Sequence, residues 1–137
     1  MRWFAMALLA VSVAACGGDS TSEPKPITVV GKWTLETVNG GRLPFILDQS
    51  GNDKVELISA SLDVMSSGVF SSTSNERSTI AGVVQTQSYI DPGHFTLAGS
   101  VATFVFDFDG GISRGTIVAD AMTFDANGLV VVYRRTK

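Results

Sequence analysis

Residues 101–108 read VATFVFDF. Phe104, Phe106 and Phe108 recur at every second position, and Thr103, Val105, Asp107 and Asp109 take the alternate face. A period of two is that of a β-strand, whose successive side chains point to opposite sides of the sheet. A face of three phenylalanines has to be covered, because in water it would be a sticky strand. The stretch therefore predicts a sheet with one buried side.

The same period recurs in both directions along the chain. Trp33, Leu35 and Thr37 share a face of GKWTLETV (31–38), and Val55 and Leu57 alternate in KVEL. Ala60, Leu62 and Val64 alternate in SASLDVM, and Phe95 and Leu97 share a face of HFTLAG. Phe70 opens a polar run to Arg77, after which TIAGVVQTQSYID sets Val84 and Ile90 among polar neighbours. GISRGTIVA, then AMTFD with Met122 and Phe124 in register, then LVVVYRR complete the set. Turn signals such as Asn39-Gly40-Gly41 and Ser66-Ser67-Gly68 separate the runs. No stretch from Ile27 onward keeps a 3.6-residue period.

Eight or nine strands at close spacing result, with a single longer connection around residues 39–53. Closing such a meander removes its unpaired edges, so the expected fold is all-β: a small antiparallel up-and-down barrel over residues 27–137. An eight-stranded barrel has room for packed side chains or for one small ligand. Trp33, Phe70, Phe95, Phe104, Phe106, Phe108 and Phe124 suffice to fill much of that interior. Phe95, Phe104, Phe106, Phe108 and Phe124 are the candidates to face a ligand.

The N-terminal end has a different character. MRWFAMALLAVSVAA (1–15) carries one cation, Arg2, then an apolar run from Trp3 to Val13, then small residues. That is the layout of a secretory signal peptide. The run is too short to span a hydrocarbon core of ~30 Å, which takes roughly 20 apolar residues in a helix. Residues 16–26 then hold no large apolar side chain, and two prolines, Pro24 and Pro26, stiffen their end. Such a segment buries too little surface to fold and serves as a tether.

Cys16 at the junction is the only cysteine. It has no partner within the chain for a disulfide, and an unfolded junction offers no base or pocket for a catalytic thiol. Val13-Ala14-Ala15-Cys16 resembles the lipobox of bacterial lipoproteins. The resemblance implies cleavage before Cys16, a diacylglycerol on its sulfur and an acyl chain on its freed amine. Several chains on one residue give stable membrane attachment, whereas one chain gives only marginal binding. Gly17, rather than an aspartate, implies sorting to the outer membrane in a two-membrane host and the outer face of the cell membrane otherwise.

Gly31-Lys32-Trp33 and the terminal Val132-Tyr133-Arg134-Arg135 resemble the G-x-W and the last-strand arginine of lipocalins and of small lipocalin-like bacterial lipoproteins. The T-D-Y sequence of lipocalins is missing. The likeness implies that Gly31, Trp33 and one of Arg134 and Arg135 close one end of the barrel, the guanidinium stacking on the indole. Strand parity groups Arg135 with Leu129, Val131 and Tyr133, and Arg134 with Val130 and Val132. Both faces are apolar, so parity leaves the choice open.

Composition restricts the function classes. The chain of 137 residues has 10 Lys plus Arg against 13 Asp plus Glu, a net charge of −3. Loss of residues 1–15 removes Arg2 and leaves 9 cations against 13 anions, −4. A weakly acidic surface does not suit nucleic acid, whose phosphates select basic stripes. His94 is the only histidine and follows Pro92-Gly93, which places it in a turn. A single histidine and no free cysteine leave zinc without ligands, and no G-x-S-x-G elbow is present. Asp107-Phe108-Asp109-Gly110-Gly111 sets two carboxylates near two glycines but lacks the further ligands of a calcium loop, so it reads as a hairpin turn. No enzyme activity, metal or cofactor is expected. The expected role is a membrane-anchored envelope lipoprotein that binds a small apolar ligand or serves envelope maintenance. The alternative is a protein-binding barrel, such as an inhibitor of secreted proteases, acting through its loops.

Overall fold

The computed structural model describes residues 26–126 and 128–137. Ten strands follow one another: β1 (Gly31–Val38), β2 (Gly41–Arg42), β3 (Phe45–Ser50), β4 (Asp53–Val64), β5 (Val69–Ile80), β6 (Val83–Ala98), β7 (Val101–Phe106), β8 (Ile112–Val118), β9 (Ala121–Ala126) and β10 (Leu129–Arg135). No helix occurs among the described residues. The leader (1–15), Cys16 and the tether as far as residue 25 lie outside the described residues.

Eight strands close into an antiparallel barrel. Each strand from β4 to β10 pairs with the next, and β1 pairs with β10 on one side and β4 on the other. Alternation drives the closure: Trp33, Leu62, Phe104 and Met122, on four different strands, all turn inward and are buried. Burying large side chains of this kind stabilises the fold by roughly 1.5–3 kcal/mol each. Val29, just before β1, and Val64, Phe70, Ala102 and Ile117 complete this cluster.

The connection expected over residues 39–53 contains β2 and β3 instead. FILDQS lacks clean alternation, so its sequence gives no strand signal; the exposed edge of β4 supplies one, pairing Phe45 with Leu57 through to Ser50 with Asp53. Leu43 and Phe45 then pack on a second cluster of Leu35, Val38 and Ala60.

Phe108 corrects the reading of VATFVFDF. β7 ends at Phe106, and Phe108 is 92% exposed in the following turn. Gly110 N–H donates to Phe106 O at 3.0 Å and Asp109 Oδ1 accepts from Gly111 N–H at 2.7 Å, so the chain reverses one residue after Phe106 and the period of two stops there.

β5 and β6 run for 12 and 16 residues, whereas β7 has 6 and meets β6 only from Gly93 onward. The distal part of the β5–β6 hairpin therefore stands beyond the closed barrel, with β3 and the start of β4 beside it.

Candidate functional site

The two ends of the barrel are built differently. At one end Arg135 lies over Trp33, its guanidinium carbon 4.2 Å from the ring centroid. Trp33 and Arg135 are register partners across β1 and β10, which sets the two planes against each other. Trp33 is fully buried and its indole N–H donates to Val29 O at 2.8 Å. Arg135 Nη1 donates to Val30 O at 2.6 Å and Nη2 to Thr28 O, tying residues 28–30 across the barrel floor. Gly31 is held by the same contact, because a Cβ there would sit 2.9 Å from Arg135 Nη1 and its φ is +132°. Arg134 points the other way and pairs with Glu36 on the surface, at 2.7 Å.

At the opposite end a cavity of about 210 Å³ opens inside the barrel. Its aromatic wall is Phe104, Phe106, Phe124 and Tyr133. Leu62, Leu129 and Val131 add aliphatic surface, and Ser72 and Ser113 supply two hydroxyls. The aromatic rings brace one another: Phe70 meets Phe104 and Phe106 edge to face at 5.0 and 5.2 Å, and Phe124 meets Tyr133 at 5.7 Å. Such pairs add about 0.5–1.5 kcal/mol beyond area burial and hold the wall in one arrangement. Gly93 lets Phe70 reach them, since a Cβ at that position would stand 2.6 Å from the Phe70 ring. Burial pushes the Tyr133 hydroxyl up to about 12, so it is neutral in the cavity at ordinary pH.

Of the five phenylalanines proposed from sequence to face a ligand, Phe104, Phe106 and Phe124 line the cavity and Phe108 is outside. Phe95 packs against Phe104 at 6.1 Å without lining it. Leu62, Ser72, Ser113, Leu129, Val131 and Tyr133 also line it and were not proposed. For Leu129, Val131 and Tyr133, parity with Arg135 becomes a signal only once Arg135 is known to cover Trp33, because β10 then turns that same face into the barrel.

The remaining chemical groups lie outside the cavity. His94 lies within β6, paired with Val69 and Val105, and not in the turn expected beside Pro92-Gly93; its Nδ1 lies 3.3 Å from Asp107 Oδ1, with both side chains more than half exposed. Asp109 caps its own turn through Gly111 N–H, and no three His, Cys, Asp or Glu side chains converge as metal ligands among the described residues. On the outer face of β4, Glu56 bonds Lys54 Nζ and Arg77 Nε, each at 3.0 Å. The Lys54 bond, with that of Arg77, holds its carboxyl below the usual range against the opposing effect of burial.

The barrel's interior can therefore accept an apolar group and orient it with a neutral phenol and two serine hydroxyls. No histidine or carboxylate lines it among the described residues. Compared with known proteins, the chain matches no family model and no curated protein.

Proposed function

We propose that this chain is a lipid-anchored, non-enzymatic protein of the bacterial envelope whose barrel holds a small apolar ligand at its open end. The observation that carries the ligand reading is the aromatic-walled cavity of about 210 Å³ opposite a sealed floor. An apolar cavity of roughly 150 Å³ is enough for benzene, so a single ring or a short acyl segment is the size class that fits. Ser72, Ser113 and the neutral Tyr133 hydroxyl suit a ligand with one polar end. The lipobox-like Val13-Ala14-Ala15-Cys16 and the tether support the anchored location.

Native mass spectrometry of the protein from its own envelope tests the ligand. A bound small molecule is expected, and Phe124→Trp, which fills the cavity, should displace it. A purified chain that carries nothing, and that fails to bind a fluorescent apolar probe, overturns the ligand reading and returns attention to the outer surface. The anchor has a separate test. The mature wild type should carry acyl mass and partition into detergent while Cys16→Ser does neither; equal behaviour overturns it.

A further inference from the structure

The distal half of β6 has one paired edge and one free edge. From Val83 to Asp91 its residues pair with β5, but β7 begins to pair only at Gly93, and among the described residues no other strand takes that side. In an antiparallel ladder alternate residues direct both backbone groups to the same neighbour. The parity is fixed by two bonds: Phe95 N–H donates to Gly68 O on the β5 side, and Pro92 O accepts from Asp107 N–H on the β7 side. Val84, Thr86, Ser88 and Ile90 therefore turn four N–H and four C=O groups to the open edge.

Open edges are ordinarily protected by charge, proline or a bulge. β3, at one end of the sheet, follows that rule: its register shifts between Ile46 and Asp48, and Asp48 charges it. VVQTQSYI (83–90) has no charge, no proline and no bulge, and its register with β5 runs unbroken from Ile80–Val83 to Val69–His94. Ile80, Val83, Val84 and Ile90 are each more than half exposed on this hairpin.

We propose that this edge of β6 pairs antiparallel with the same edge of a second copy of the chain, around a two-fold axis at Gln87. The register follows from the sequence. Centring on Gln87 sets Val84 opposite Ile90 of the second copy and Thr86 opposite its Ser88. All eight open backbone groups of each copy then find partners, two bonds in each of four residue pairs. Outer-face neighbours become apolar with apolar and hydroxyl with hydroxyl, the kind of cross-strand match that stabilises a sheet. The inner face joins Gln85 to Tyr89 and Gln87 to Gln87. No like charges meet along the paired stretch. The same two-fold axis carries the apolar hairpin tip, Ile80 and Val83, to Asp91 of the second copy, beside the turn whose Phe108 is otherwise almost wholly in water. A shift by one residue would oppose residues whose backbone groups point away, and a shift by two would break the Val84–Ile90 match.

Crosslinking of the full-length chain in a Cys16→Ser background tests both the pairing and its register. Gln87→Cys brings two thiols together on the axis and should oxidise to a covalent dimer. Gln85→Cys places them four residues apart, about 13 Å along the strands, beyond the ~7 Å that a disulfide spans, and should remain monomeric. Thr86→Pro removes one edge N–H without touching the β5 ladder, so light scattering should show a monomer with unchanged circular dichroism. The proposal fails if the unsubstituted chain is monomeric at all attainable concentrations, which is also the result if the edge instead takes a strand of another protein. It fails equally if Gln85→Cys crosslinks as well as Gln87→Cys, or if Thr86→Pro folds and still dimerises.

Discussion

The sealed and the open ends of this barrel are lined by the same kinds of residue and yet do different things. At the floor, an aromatic ring is fully buried, capped by a guanidinium, and every polar atom of that cap is bound to a carbonyl or lies near Asp120. At the open end, four aromatic rings pack just as closely but leave about 210 Å³ between them. The difference lies in what crosses the end. Residues 28–30 lie across the floor, whereas the β2–β3 segment covers only the side next to β1 and β4 through Leu43 and Phe45. Aromatic content alone fills a barrel; a strap across it decides whether an opening remains.

Substitutions at the two ends should therefore separate stability from binding. The largest effect is expected from Trp33→Ala, which empties the floor and should cost about 3–5 kcal/mol of unfolding free energy. Phe106→Ala, at the partly buried mouth, should cost less while enlarging the cavity and changing the affinity for an apolar probe. Denaturant titration alongside probe binding measures both, and equal stability losses would erase the distinction.

The two adjacent arginines sharpen it further. Arg135→Ala loses the stacking on Trp33 and two charged hydrogen bonds, an expected cost of about 2–3 kcal/mol. Arg134→Ala loses only an exposed ion pair with Glu36 and should cost about 0–1 kcal/mol. Similar losses for the two would mean that the guanidinium on the indole does not hold the floor.

At the open end Tyr133 supplies a pH signature. Its folded-state value of about 12 lies above the ordinary 10.0, so the neutral phenol is the favoured form in the cavity. The stability this gives is complete below pH 10 and is lost as pH rises toward 12. In a Tyr89→Phe background, where Tyr133 is the single tyrosine, ultraviolet titration should show ionisation near 12 in the folded chain and near 10 after unfolding.

The smallest effect is expected outside the barrel's interior. Glu56 is held below its ordinary value of 4.5 by Lys54 and Arg77, so its stabilising contribution is present above that value and fades as pH falls through the depressed one. Glu56→Gln should lower the thermal midpoint slightly at neutral pH and match the wild type in strong acid. A difference that persists in acid would assign the effect to packing instead of charge.

Alternation in VATFVFDF, SASLDVM and GKWTLETV made the strands and their inward faces legible, because strand parity is local and the hydrophobic effect acts on it directly. It failed at Phe108, where the backbone bonds of the 106–111 turn overrode a pattern that continues in the letters. It failed also at FILDQS, a strand that exists because β4 offers a partner rather than because its own residues alternate. Parity put Arg135 on the face of Tyr133 and Arg134 on the other, but which face was inside depended on the closure of β1 against β10.

The sequence by itself determined the all-β class, the closure of most strands into one barrel and the residues available to fill it, since these follow from period and composition. Tertiary structure alone decided that Arg135 covers Trp33, that Tyr133, Leu129 and Val131 join the phenylalanines around a cavity, and that β6 outruns β7 to leave an edge. Each of these depends on register between strands distant in the chain, where a shift of one residue exchanges inside for outside.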